Sequence, residues 1–132
     1  MKPVLSVLVV ENSPLTASKI TSFLRGLGWQ VDYAASGKMA LYHGNCHDYD
    51  VVLVSTKLPD MTFQEVSDNF SLLAESKPTV LLMSDGDELY NIADHTVNNI
   101  IPDSNDLKEI VNRCHAVMAK RPPMHPATRL SA

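Results

Sequence analysis

The sequence lacks what a nucleic-acid binder, a membrane protein or a disulfide scaffold needs. There is no basic excess: 11 Lys and Arg stand against 15 Asp and Glu, for a formal net charge of −4. Such a chain sets up no field that attracts nucleic acid or an anionic membrane. Its longest apolar runs are strand-length, whereas a membrane-spanning helix needs about 20 apolar residues. No secretory pattern opens it, because residues 4–10 pass directly into the polar Glu11-Asn12 without a small-residue cleavage site. The two cysteines, Cys46 and Cys114, make no disulfide framework, and the reduced thiols of a cytoplasmic protein are expected. Glycine is scarce, with five in all. Gly26 and Gly28 follow a helical pattern and lack the third glycine of a dinucleotide fingerprint. No Gly-rich loop ending in Gly-Lys-Ser/Thr is present to cradle phosphate.

What is present is an alternation of strand and helix patterns. Residues 4–10, nearly all Val and Leu, read as a central strand covered on both faces. Ser13-Pro14 then opens a helix, with the hydroxyl as N-cap and proline at the first helical position. Ala17, Ile20, Leu24 and Leu27 share its apolar face, and Gly26 or Gly28 ends it. Residues 29–35 predict a shorter edge strand. Ser36 caps a short helix over 37–42, broken by Gly44-Asn45. Val51-Val52-Leu53-Val54 is a buried parallel strand that exits at Ser55. Thr62-Phe63-Gln64-Glu65 has the spacing of a capping box, and Phe63, Val66, Phe70 and Leu73 form the stripe of the helix behind it. A fourth strand is expected over 78–84, then an Asp85-Gly86-Asp87 turn and a short helix carrying Leu89, Ile92 and Ala93. A weak fifth strand over 98–101 and a last helix over 105–120 follow, the helix bearing Leu107, Ile110, Val111, Cys114 and Met118 on one face. Residues 121–132, with Pro122, Pro123 and Pro126, read as a linker or tail, which leaves 1–120 as the domain. Five strands alternating with five helices predict a three-layer α/β sandwich around a parallel sheet of flavodoxin-like order 2-1-3-4-5. Glu11, Asn12 and Ser55 then meet at the switch point between the first and third strands.

The run from Asp50 through Ser55 to Leu58-Pro59-Asp60-Met61 resembles the phosphoacceptor strand and loop of bacterial response-regulator receiver domains, the CheY-like superfamily. There, hydrophobic residues lead to an Asp and then to a Met/Leu-Pro-x-Met turn. The turn matches, but Ser55 stands where the family has its Asp. The resemblance covers roughly residues 4–120. It implies acids after the first strand that hold magnesium, an Asp after the third that attacks phosphorus, a Thr or Ser after the fourth and a Lys after the fifth. Here Glu11-Asn12 stands at the acid pair, one carboxylate kept and the other an amide, and Met83 falls at the hydroxyl position with Ser84 next to it. Ile101-Pro102 replaces Lys-Pro, and no lysine occurs between Lys77 and Lys108. Asn99 occupies the aromatic switch position. A one-residue shift would bring Ser84 to the place of Met83.

The resemblance therefore implies a degenerate pseudo-receiver that is not an enzyme and binds a protein partner, a partner domain of its own chain or a second copy, independently of phosphorylation. The pocket is expected at Glu11, Asn12, Ser55, Lys57, Met83, Ser84 and Pro102, with no cofactor and Glu11 as a weak magnesium candidate. Lys57, two residues after the acceptor position, is a candidate ion-pair partner for Glu11 in place of a cation. The partner face that the family nominates draws on Leu89, Tyr90, Ile92, Ile100, Ile101 and Lys108. Alternatives are an active phosphotransfer receiver with relocated residues and a small-ligand module binding at the switch crevice. His43, Cys46, His47 and Asp48 crowd together, but the expected helix break at Gly44-Asn45 makes them a polar loop. Asp85-Gly86-Asp87-Glu88 starts like a calcium loop without its later ligands.

Overall fold

The computed structural model describes residues 4–73, 78–84, 100–101 and 105–120. Strands β1 (Ser6–Val10), β2 (Gln30–Ala34), β3 (Val51–Ser55), β4 (Thr79–Met83) and β5 (Ile100–Ile101) alternate with helices α1 (Pro14–Arg25), α2 (Gly37–Cys46), α3 (Phe63–Leu73) and α4 (Leu107–Lys120). All pairings are parallel and the sheet order is β2-β1-β3-β4-β5, as predicted. The described residues thus hold four helices. The turn at Asp85, the helix expected at Leu89, Ile92 and Ala93, and residues 121–132 lie outside them.

The strand period of two splits the core in half. Val7, Val9, Val51, Leu53, Leu81 and Ile101 face Ile20 and Leu24 of α1 and Ile110 and Cys114 of α4. Leu8, Val10, Val52, Val54 and Val80 face Ala40 of α2 and Val66 and Phe70 of α3. Every residue of β3 is buried, and each aliphatic side chain so enclosed contributes about 1.5–3 kcal/mol. At the entry end of the sheet, the Ser6 N–H donates to Asp50 Oδ2 at 2.9 Å and the Asp50 N–H returns to the Ser6 carbonyl at 2.7 Å. Asp50 therefore clamps β1 to β3 far from Ser55.

The helix starts follow their capping residues. Ser13 Oγ accepts from the Thr16 N–H, with Pro14 in the first turn of α1. The Thr62-Glu65 box forms reciprocally, Glu65 Oε1 accepting from the Thr62 N–H at 2.9 Å and Thr62 Oγ1 from the Glu65 N–H at 3.1 Å. Two helix ends differ from expectation. Leu27 is exposed, because α1 closes at Arg25 with Gly26 as its C-cap and Leu27 enters a turn. That turn needs Gly28, whose φ of +88° lies in the left-handed region. Helix α2 does not break at Gly44-Asn45 but runs to Cys46. Glycine in a helix costs about 1 kcal/mol, and strong capping plus the burial of Ala40 offset it. The stop comes one residue later, at His47, whose extended backbone directs its N–H to the His43 carbonyl at 2.9 Å.

Candidate functional site

Parallel pairing brings the exits of the central strands to one edge. Val10 lies across from Val54, Ser55 from Met83, and Met83 from Ile101. Glu11 after β1, Ser55 at the end of β3 and Ser84 after β4 therefore share that edge.

Ser55 is buried, and its Oγ accepts from the Lys57 N–H at 3.1 Å. The hydroxyl thus holds the first turn of its own loop, and a serine without an adjacent base is a poor nucleophile. Met83, directly opposite, packs with Leu81 and Ile101 against α1 and α4. Its thioether offers a phosphoryl oxygen no useful donor. The register sets Met83, and not Ser84, across from Ser55. Ser84 is fully buried, with its N–H on the Ile101 carbonyl at 3.0 Å.

Glu11, expected in the pocket at the switch point, is buried. Its backbone N–H extends the sheet ladder to the Ala34 carbonyl at 3.0 Å, and Oε2 turns back to accept from the Ser13 N–H at 2.9 Å. That bond turns the carboxylate onto the start of the loop before α1. Asn12 is exposed, and its Nδ2 donates to the Ala35 carbonyl at 3.2 Å, strapping the loop after β1 to the loop after β2. The side chain of Lys57 is exposed. Pro102, Asn99, Leu89, Tyr90 and Ile92 lie outside the described residues. Ile100 and Ile101 are buried at 5% and 0% exposure, which removes their side chains from the expected partner face: they complete the sheet core. Lys108 is exposed.

One residue at this edge, read from the sequence only as part of a turn, has a larger role. Asp60, in the loop after β3, reaches back to the start of α2. Its Oδ1 accepts from the Gly37 N–H at 2.8 Å and its Oδ2 from the Lys38 N–H at 3.0 Å. Those two bonds, Gly37 first and Lys38 second, hold the carboxyl below its ordinary 3.8. Met61 packs on the same spot: a Cβ on Gly37 would come within 2.6 Å of Met61 Sδ and 2.8 Å of its Cβ and Cγ. The loop after β3 is thereby pinned to α2 by a carboxylate and a thioether side chain. No local signal marks this link, because the partners are 23 and 22 residues apart.

No protein-family model matches the chain. Among solved structures, it superposes on the CheY-like response-regulator receiver domain from Methylobacillus flagellatus with a TM-score of 0.60 and 28% identity, covering 65% of this chain and 73% of that one. It also superposes on the receiver domain of sensor histidine kinase PA1611 from Pseudomonas aeruginosa, at a TM-score of 0.68 and 18% identity over 84% of this chain and 97% of the other. The chain has the fold of a response-regulator receiver domain. Two curated relatives match by sequence. A 65-residue stretch is 43% identical to the aerobic respiration control sensor protein ArcB of Escherichia coli, covering 49% of this chain and 8% of ArcB. A distant homologue, the probable transcriptional regulatory protein TcrX of Mycobacterium tuberculosis, is 26% identical over 117 residues, 87% of this chain and 50% of TcrX. The chain thus spans half or less of these relatives. In the PA1611 receiver domain a magnesium ion is coordinated in the active-site cleft. No helix among the described residues is long and apolar enough to cross a membrane.

Proposed function

We propose that residues 1–120 form a receiver-type module of two-component signalling that acts by holding a protein partner without passing through an acyl phosphate. The observation that carries this reading is Ser55 at the exit of β3, a buried hydroxyl engaged by the Lys57 amide. An acyl phosphate needs a carboxylate there. The neighbouring positions favour the same conclusion. Met83 gives its side chain to the core opposite Ser55, and the Glu11 carboxylate caps its own turn. Asn12 carries an amide where a second charge would strengthen a magnesium site, and magnesium prefers charged oxygen ligands. The chain is then a signalling module and not an enzyme, magnesium is not its cofactor, and its partner is a protein, a neighbouring domain or a second copy.

The test is incubation of the full chain with magnesium and a small acyl-phosphate donor, followed by intact mass measurement and peptide mapping. The expected result is no magnesium-dependent phosphoryl increment in the parent chain. A stoichiometric increment on Ser55 or on any carboxylate would overturn the reading.

A further inference from the structure

We propose that Asp32, His43 and His47 form a binding site for a divalent transition metal of the zinc class, separate from the receiver pocket. The extension of α2 past Gly44-Asn45 creates it. His43 sits in the last turn and His47 ends the helix, so the two imidazoles lie one turn apart on one face. Their rings are nearly parallel, at 27°, with centroids 6.4 Å apart. Asp32 enters from β2, the edge strand of the sheet. One ligand atom from each of the three side chains lies within 4.8 Å of the other two. Tetrahedral zinc, with bonds of about 2.0–2.1 Å, sets neighbouring ligand atoms about 3.4 Å apart. Small side-chain rotations of exposed and half-buried groups supply the remaining closure.

The carboxylate is already oriented for this role. Tyr49, buried in the core, donates its hydroxyl to Asp32 Oδ2 at 2.6 Å. A ligating carboxylate is commonly held by such an outer partner, which fixes its direction and leaves its second oxygen for the metal. Two imidazoles and one carboxylate suit zinc and its neighbours in the transition series, whereas magnesium and calcium favour all-oxygen sites. Asp32 and His47 also line a surface groove together with Arg25, Asp48 and Tyr49, from which water would complete the shell. Tyr49 leads into β3 at the end opposite Ser55, so this site and the receiver pocket occupy different ends of the sheet. A bound ion ties the end of α2 to the edge strand, and binding only the folded state raises the melting temperature.

The test is a calorimetric Zn²⁺ titration of the full, tag-free chain carrying Cys46→Ser, which removes the exposed thiol as a competing ligand. The expected result is saturable one-to-one binding in the micromolar range with a matching rise in Tm. His43→Asn and His47→Asn should each weaken affinity by at least about ten-fold, with the circular dichroism spectrum unchanged. Tyr49→Phe, which loosens a positioning residue, should keep the one-to-one stoichiometry and weaken affinity by about ten-fold. Absence of saturable binding would overturn the proposal. So would an affinity left unchanged in the folded His43→Asn/His47→Asn double variant.

Discussion

Replacing Asp60 by Asn removes a charge that bridges the loop after β3 and the start of α2. In the parent, both carboxylate oxygens accept helix N–H groups, from Gly37 at 2.8 Å and Lys38 at 3.0 Å. An amide oxygen can replace one of these bonds but neither the second nor the charge facing the positive end of the helix. Loss of a helix cap costs about 0.5–2 kcal/mol, and the exposure of Asp60 draws the effect towards about 1 kcal/mol or less through solvent screening. For a chain of this size that is a fall in Tm of about 3–4 °C at pH 7. The pH dependence has a fixed sign. The folded state depresses the carboxyl, so its stabilisation is complete above the ordinary value of 3.8 and is lost as pH falls through the lower folded value. Urea melts of parent and variant from neutral to strongly acidic pH should therefore differ at pH 7 and converge in acid. The amide resonances of Gly37 and Lys38 should report the same titration. A difference that persists undiminished in acid, or parent amides that do not move, would refute the capping role.

Gly37→Ala should destabilise by about 1–3 kcal/mol, although alanine is the better helix former, because its Cβ collides with Met61. Urea denaturation checks it, and adding Met61→Ala should recover part of the loss; a neutral or stabilised Gly37→Ala would contradict the packing. Thiol labelling should separate the two cysteines. Exposed Cys46 reacts in the folded chain, while burial shields Cys114 and pushes its thiol up to about 12. Cys114 should react only as rising urea opens the fold, and fast labelling in native buffer would contradict its place in the core.

Much of the fold was legible because its signals are local. Val51 to Val54 are apolar in sequence because both faces of β3 are covered, and a continuous apolar run carries that fact without any knowledge of neighbours. Ser13-Pro14 and Thr62 with Glu65 cap within four residues, so spacing alone revealed them. Failures came where distant residues decide. Gly44-Asn45 carries a stop signal by propensity, yet α2 continues, because its caps at Ser36 and Asp60 and its buried face hold it. Once the helix continues, His43 and His47 align, and the sheet brings Asp32 to them. Glu11 follows β1, and its N–H bond to the Ala34 carbonyl and its burial both depend on the neighbouring strand, which local sequence does not reveal. At the receiver pocket the residue types at Ser55 and Met83 were plain in the sequence. Their register, and the commitment of the Ser55 hydroxyl to its own loop, needed the fold.

An amide-resolved NMR titration tests most directly the proposal that the pocket does not respond to a phosphoryl group. Magnesium is added to the full chain, followed by beryllofluoride as a phosphoryl mimic. No saturable shift is expected at Glu11, Ser55, Lys57 or Ser84, and no change relayed into α4. Saturable magnesium-dependent shifts that begin at Glu11 and Ser55 and spread to β5 and α4 would show a working switch and contradict it.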